Sequence, residues 1–319
     1  MDKTQLILEQ GDAWLCYAIR KTVLKESEEA LADLKREVLA DARIKAYLTD
    51  VADYHSMIVS NHKNPDLPIH KLLFLLDIGL REEPEIVVAT QKIMEHKDEN
   101  GVYQSLTNIP KHFGGSGEDV FGWCLCDAPM LLLALLKAGI DYGEHIKPGV
   151  DFLVGLYKAT GFPCSVSREF GKFRGPGRKD DCCPNASLKM LQLLSAVPEY
   201  SESAVAEDTA LGILSLWENS RELHPYMYYM GTDFRKLKAP TIWYDLVSVV
   251  DTLSHFSRIT VDPRFVEMAE MIRGKQDADG LYTPESVYQK SKEWDFGQKK
   301  KPSPYLSYAC HQIFSRIEV

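Results

Sequence analysis

The sequence predicts an all-α fold built from pairs of helices that stack side by side. Apolar helical segments recur about every 60 residues, a period typical of stacked helix pairs. Each segment starts near a proline, the residue best suited to the first turn of a helix. No strand-like alternation of comparable length occurs. The five apolar segments begin at Pro68, Pro129, Pro184, Pro240 and Pro304.

A second set of helices is predicted between these segments. Candidate partner helices cover 84–96, 146–158, 202–219 and 263–274. Two of them run into similar turns, His96–Tyr103 and Lys275–Tyr282, and 159–162 is a shorter version. Because no single pair can bury its own apolar face, the pairs are expected to stack on one another.

The N-terminal region precedes the first of these pairs. Residues 1–24 have the pattern of one amphipathic helix, and Ser27 is placed to cap a second helix that reaches about Val51. We therefore expect N-terminal helices over 1–66 to pack on repeats over 67–319. Together they are expected to form one structural domain.

The bulk composition limits the classes of function. The chain has 319 residues, with 45% hydrophobic and 26% charged residues, which is ordinary for a globular protein. Its net charge of −9 argues against a general nucleic-acid binder. No apolar run approaches the roughly 18 residues needed to span a bilayer. Seven cysteines and an N-terminus without an apolar signal segment predict reduced thiols and a cytoplasmic location.

Two short segments resemble a known superfamily. The turn Gln276–Tyr282 resembles the glutamine–tryptophan repeat of squalene cyclases and protein prenyltransferases, with tyrosine in place of tryptophan. The loop Gly175-Pro176-Gly177 resembles loops of prenyltransferase β subunits. The resemblance covers about 68–319 and implies an α/α toroid of five to six helix hairpins, closed or incomplete, around a central cavity. The Asp-x-Asp-Asp motif of bacterial triterpene cyclases is absent, so the resemblance implies a diverged member.

In such a toroid the loops before the inner helices meet at one rim. Cations from several loops would then form an anion-binding mouth, suited to an isoprenoid diphosphate whose tail enters the cavity. The alternative is that these charges only keep the rim soluble. The candidate cations are Arg168, Lys172, Arg174, Arg178, Arg235 and Lys238. Aromatic residues could line the cavity or simply pack in the core, and the candidates are Trp123, Trp243, Tyr244, Trp294 and Tyr305.

The segment before Pro184 carries two further candidate sites. Asp180 and Asp181 resemble, together with Cys182, the acidic segment that protonates an epoxide in oxidosqualene cyclases. The alternative is an N-cap and its neighbour. Either Asp180-x-Cys182 or Asp181-x-Cys183 resembles the Asp-x-Cys zinc ligands of protein prenyltransferases, which makes Cys182 and Cys183 candidate metal ligands. Zinc is therefore an alternative to the main expectation that no cofactor is bound.

Three classes of function remain open. The first is an enzyme or binding protein for an isoprenoid or another amphipathic anion. The second is a non-catalytic helical-repeat module that binds a protein or peptide. The third is a carbohydrate-active enzyme that uses paired carboxylates. Candidate carboxylates for such a pair are Asp119, Asp127, Asp181 and Asp245.

Overall fold

The structure is a computed structural model that describes residues 3–171, 173, 175, 177–178 and 181–318. Helices account for 55% of the chain, which confirms the predicted helical class. Within these described residues, two β-strands form one antiparallel pair, and four isolated β-bridges occur besides it. The strands are β1 Ser105–Asn108 and β2 Asp119–Gly122, with Ser105 opposite Gly122.

The helices are numbered in chain order. They are α1 Lys3–Gln10, α2 Ala13–Thr22, α3 Glu28–Ala40, α4 Ala42–Ala52, α5 Pro68–Asp77, α6 Pro84–Met94, α7 Ala128–Lys137, α8 Lys147–Val154, α9 Pro184–Ser195, α10 Pro198–Ser201, α11 Ala204–Glu218, α12 Leu246–Leu253, α13 Ser257–Thr260, α14 Pro263–Arg273 and α15 Pro304–Ile317. None of them is long and apolar enough to cross a membrane.

Helices α5, α7, α9, α12 and α15 form a buried layer in which each packs against the next. Helix α7 is buried without interruption from Ala128 to Leu135, as expected for a helix that is apolar on all sides. The partner helices α8, α11 and α14 pack against α7, α9 and α12 respectively. They bury a narrower face, and α14 for example buries Phe265, Met268, Ala269 and Ile272. These three predicted partner helices therefore lie outside the buried layer, whereas the fourth, α6, packs mainly against α4.

Three of the predicted helices have different bounds in the structure. The helix expected from Pro240 begins only at Leu246, because the Asp245 carboxylate accepts the Ser248 N–H at 2.9 Å and caps the helix there. Residues 240–245 instead form a turn, in which Ile242 N–H bonds to the Pro240 carbonyl. The single helix expected over 1–24 is divided at Gly11 into α1 and α2. The helix expected from Ser27 is likewise divided at Asp41, whose side chain caps α4.

The two turns predicted to be similar make the same hydrogen bonds. In the first, Asp98 Oδ1 accepts the N–H groups of Asn100 and Val102 at 2.9 Å each. In the second, Asp277 Oδ1 accepts the N–H groups of Asp279 at 3.0 Å and Leu281 at 2.8 Å. A glycine with positive φ follows in each turn, Gly101 at 82° and Gly280 at 80°. Each turn then ends on a fully buried tyrosine, Tyr103 or Tyr282.

The two ends of the chain meet in an aromatic cluster. The ring of Trp14 on α2 lies 5.2 Å from Phe74 on α5 and 5.4 Å from Tyr305 on α15. Trp294 lies 5.3 Å from Trp14 and 5.0 Å from Phe74. Helix α2 therefore bridges the first and last helices of the buried layer.

Candidate functional site

A pocket of about 840 Å³ lies where the loops before α5, α7 and α12 meet the N-terminal end of α9. We call it the rim pocket. Its volume falls within the range of about 300–1,000 Å³ that is usual for small-molecule sites. Its chemically distinctive lining residues are His62, Lys63, Cys124, Cys126, Cys164, Phe173, Cys183, Tyr226, Tyr228, Phe234, Lys238, Trp243, Tyr244, Asp245 and Tyr288.

One wall of the rim pocket is aromatic. Tyr228 stacks on Trp243, with ring centroids 5.9 Å apart, and meets Tyr244 edge-on at 5.3 Å. The hydroxyls of Tyr244 and Tyr288 are buried and have no hydrogen-bond partner among the described residues. Burial raises the pKa of both phenols, so they remain neutral donors at physiological pH. The wall thus combines apolar faces with unsatisfied donors.

The Tyr226 ring packs closely against two glycines at the edge of the pocket. The Tyr226 hydroxyl bonds to the Cys164 N–H and the Asp181 carbonyl, both at 3.3 Å. A Cβ at Gly177 would lie 2.3 Å from the Tyr226 ring, and one at Gly175 would lie 3.0 Å from it. The absence of a side chain at these two positions allows their backbone to approach the Tyr226 ring closely.

Two lysines bring positive charge to the aromatic wall. Lys238 Nζ lies 3.4 Å from the centroid of the Tyr288 ring, and Lys63 Nζ lies 4.8 Å from that of Trp243. Burial lowers the pKa of Lys238 from its usual value. The nearby Asp245 carboxyl is buried, and this raises its pKa to about 7 against the opposing effect of the Ser248 N–H. Asp245 can therefore carry a proton near neutral pH and donate it within the pocket.

The floor of the pocket holds a histidine, an aspartate and thiols. His62 Nε2 lies 3.6 Å from Asp127 Oδ2, and the other oxygen of Asp127 accepts the Cys124 N–H at 3.0 Å. Burial alone would lower the pKa of His62, but Asp127 and Cys126 oppose it and raise the value to about 9. The ligand atoms of His62, Cys124 and Asp127 all lie within 4.8 Å of one another. A second group within the described residues, His55, Glu95 and His96, meets the same criterion at the surface.

The structure brings together only some of the residues predicted from the sequence. Lys238, Trp243, Tyr244 and Cys183 all line the rim pocket. Tyr305 lines a separate central cavity of about 250 Å³ between α5, α7, α9, α12 and α15. Lys172, Arg174 and Asp180 lie outside the described residues.

The other predicted cations lie away from the rim pocket. Arg168 is exposed and ion-paired with Glu99 at 3.1 Å. Arg235 lies over the Trp217 ring at 4.8 Å. Arg178 is exposed and lines a different pocket of about 600 Å³ beside α11. In the described part of the chain, Lys238 is therefore the only predicted cation that lines the rim pocket.

Two of the predicted tryptophans are also placed elsewhere. Trp123 Nε1 donates to Asp98 Oδ2 at 2.8 Å, which ties this side chain to the first of the two similar turns. Trp294 belongs to the aromatic cluster and has the Arg43 guanidinium 5.0 Å above its ring. Both side chains are buried parts of the packing.

The segment before α9 does not act as one site. Cys183 lines the rim pocket, whereas Cys182 lines the pocket beside α11 and lies 3.4 Å from the Lys158 carbonyl. The Asp181 carboxylate also lines the latter pocket and accepts the Arg178 N–H at 3.0 Å. The expectation that Asp181 caps α9 is wrong, since the N-cap residue is Cys183 and makes no side-chain cap.

Several residues of the rim pocket were not recognised from the sequence. Tyr228 and Tyr288 lie in irregular loops without a pattern. His62 had a usable signal, because it precedes α5 as Cys124, Cys126 and Asp127 precede α7. All these loops lead into helices of the buried layer, so their side chains meet at the same end.

Searches against protein-family models, curated proteins and solved structures found no match for this chain. Function therefore has to be inferred from the rim pocket.

Proposed function

We propose that this protein binds an amphipathic anion, of the isoprenoid diphosphate type, in the rim pocket. The observation that supports this best is the combination of two lysine ammonium groups with an aromatic wall in one pocket of suitable size. The ammonium groups of Lys63 and Lys238 suit phosphate oxygens. The faces of Tyr228, Trp243 and Phe234 suit an unsaturated hydrocarbon chain.

The proposal includes an α/α toroid like that of terpenoid cyclases and prenyltransferases. The successive contacts of α5, α7, α9, α12 and α15 support a ring of inner helices. The contacts of Trp14 with Phe74 and Tyr305 support closure of that ring through α2. In such a ring the N-terminal ends of the inner helices converge on the rim pocket and add a favourable field for an anion.

The hydrocarbon part of the ligand fits the rim pocket better than the central cavity. The central cavity is small, at about 250 Å³, and its lining includes the charged groups Lys71, Lys189 and Asp251. Apolar surface is best buried against apolar surface. This modifies the expectation from the sequence, in which the tail occupied the central cavity.

The direct test is the affinity for farnesyl diphosphate, measured by calorimetry, in wild type and in Lys238→Gln. A hydrogen bond to a charged group contributes about 1.5–3 kcal/mol. Lys238→Gln should therefore weaken binding by about tenfold to a hundredfold. Lys300→Gln is the matched control, because Lys300 is an exposed lysine in the loop before α15 and is absent from the rim pocket.

Three ligands separate the parts of the proposal. Farnesyl diphosphate should raise the thermal unfolding midpoint more than inorganic diphosphate or farnesol does, because only it uses both the lysines and the aromatic wall. Equal affinities in Lys238→Gln and wild type would contradict the assigned anion site. No response to any of the three compounds would favour the alternative class of a peptide-binding module.

A further inference from the structure

Two buried polar atoms at the floor of the rim pocket face each other without a hydrogen bond. His62 Nε2 and Asp127 Oδ2 are both buried and have no hydrogen-bond partner among the described residues. They lie 3.6 Å apart, which is longer than a hydrogen bond between nitrogen and oxygen. The Asp127 side chain is only 3% exposed. Buried polar groups are nearly always satisfied, so this arrangement calls for a partner that both atoms can share.

The surrounding atoms hold this pair in place. Asp127 Oδ1 accepts the Cys124 N–H at 3.0 Å, which leaves Oδ2 directed at His62. The backbone carbonyl of His62 is in turn hydrogen-bonded to His70 Nε2 at 3.0 Å. The bond to Asp127 is of the kind that orients a ligating side chain in a metal site, and the bond to the His62 carbonyl fixes the backbone from which the imidazole projects.

The three nearest ligand atoms have the chemistry of a transition-metal site. His62, Cys124 and Asp127 offer an imidazole nitrogen, a thiol sulfur and a carboxylate oxygen within 4.8 Å of one another. Ligand atoms of a tetrahedral zinc site are about 3.3–3.8 Å apart, given bond lengths of about 2.0–2.3 Å. The distance from His62 to Asp127 already lies in this range. A soft sulfur ligand disfavours Mg²⁺ and Ca²⁺, and the mixed set of donors favours Zn²⁺.

We propose that His62, Cys124 and Asp127 bind one Zn²⁺ ion at the floor of the rim pocket. Three protein ligands leave a fourth position open, as in catalytic rather than structural zinc sites. That position is available to water, to a ligand in the pocket, or to a thiol of Cys126 or Cys183, which also line it. The Cys182–Cys183 pair is not the ligand set, because the two thiols line different pockets.

This inference goes beyond the proposed function and does not depend on it, because it can be tested with metal alone. The full chain is loaded with Zn²⁺ under reducing conditions, desalted and analysed by elemental mass spectrometry. We expect one zinc ion per chain. Loading with Co²⁺ should give the visible absorption of a tetrahedral ion together with a sulfur-to-cobalt charge-transfer band.

Matched variants identify the ligands. Cys124→Ser should weaken both the charge-transfer band and zinc binding, and Asp127→Asn, which keeps the acceptor for the Cys124 N–H, should weaken zinc binding by at least about tenfold. Cys182→Ser removes a thiol from the neighbouring pocket and should bind zinc as wild type does. Circular dichroism verifies that each variant is folded.

Wild-type protein without stoichiometric zinc and without the cobalt spectrum would overturn the proposal, whatever the variants do. His62 and Asp127 would then form a charged pair without a metal ion. Zinc content and affinity that are unchanged in both Cys124→Ser and Asp127→Asn would also overturn it, because the metal would then lie elsewhere.

Discussion

Two aspartates cap helices in this protein in opposite electrostatic surroundings. Asp245 caps α12 through the Ser248 N–H, and Asp262 caps α14 through the Arg264 N–H, both at 2.9 Å. Burial raises the pKa of Asp245 to about 7, whereas the Arg264 guanidinium holds the pKa of Asp262 below its usual value. The same backbone role therefore has opposite consequences for the dependence of stability on pH.

Replacing Asp245 by asparagine keeps an acceptor for the helix cap and removes the titration. In wild type, ionisation of Asp245 is less favourable in the folded than in the unfolded state. Its stabilising contribution is therefore complete below about pH 4 and is lost as pH rises through about 7. We expect Asp245→Asn to match wild type near pH 4 and to exceed it by up to about 4 kcal/mol at pH 8. Urea unfolding at the two pH values measures this difference.

Asp262→Asn provides the control with the opposite sign. A carboxylate with a lowered pKa contributes stability above its unfolded pKa and loses it as pH falls through the folded value. Asp262→Asn should therefore be less stable than wild type at neutral pH and approach it in acid. If Asp245→Asn were less stable than wild type at pH 8, the ionised Asp245 carboxylate would be tolerated in the pocket and the prediction would be wrong.

At this scale, the sequence predicted individual members of the rim pocket better than their grouping. Lys238 was predicted at the rim because it precedes a buried helix, whereas Trp243 and Tyr244 were predicted to line the cavity and line the rim pocket instead. Cys182 and Cys183 looked like a pair because they are adjacent, but Cys183 has an extended backbone, in which successive side chains point in opposite directions. His62 and Asp127 come from separate loops, and no local pattern connects residues that far apart in sequence.

The turns at Asp98 and Asp277 share one hydrogen-bond pattern but differ in their packing. Asp98 is half-buried, and its second oxygen accepts the Trp123 indole N–H at 2.8 Å. Asp277 is exposed and bonds within its own turn. The Asp98 side chain thus ties the first turn to the core, whereas the Asp277 side chain stabilises only its own turn.

Alanine substitutions should separate these two roles. Asp277→Ala removes the acceptor of an exposed turn and should cost about 1 kcal/mol. Asp98→Ala also leaves the Trp123 indole N–H without an acceptor, so we expect a loss of about 2–4 kcal/mol. Urea denaturation gives both values. Equal costs would mean that the bond to Trp123 contributes nothing, and Asp98→Asn, which keeps one of the two acceptor oxygens, should recover part of the loss.

The helices themselves were largely predictable from proline and apolar patterning. Helices α5, α9 and α15 begin at the predicted proline, and α7 begins one residue earlier. The prediction of a helix start at Pro240 was wrong because proline is favoured in β-turns as well as at the start of a helix. The start of α12 is set by the side-chain cap from Asp245, a residue that the sequence suggested only as a candidate catalytic carboxylate.

At the scale of the whole molecule, the main feature that the sequence could not show is the contact between its two ends. Trp14 lies against Phe74, Trp294 and Tyr305, so the N-terminal helices pack on both the first and the last helix of the buried layer. Periodicity reports on neighbours along the chain and carries no information about such distant pairs. The helical class and the partner helices could therefore be predicted, but the contact between the ends could not.

This contact predicts that the chain unfolds as one unit, including residues 1–66. Trp14 is 1% exposed, and truncation of a buried tryptophan typically costs about 3–5 kcal/mol. Trp14→Ala should therefore lower the free energy of unfolding of the whole protein by that amount. The urea midpoint should fall accordingly, with circular dichroism and fluorescence changing together. Trp243→Ala is the control, because Trp243 is only half-buried at the rim pocket and its truncation should cost less.

If the N-terminal helices were an independent unit, Trp14→Ala would instead produce a separate early transition and leave the main one in place. A single shifted transition would mean that contacts between the ends stabilise the same cooperative structure that holds the rim pocket together, so ligand binding there should protect α1 and α2 as well.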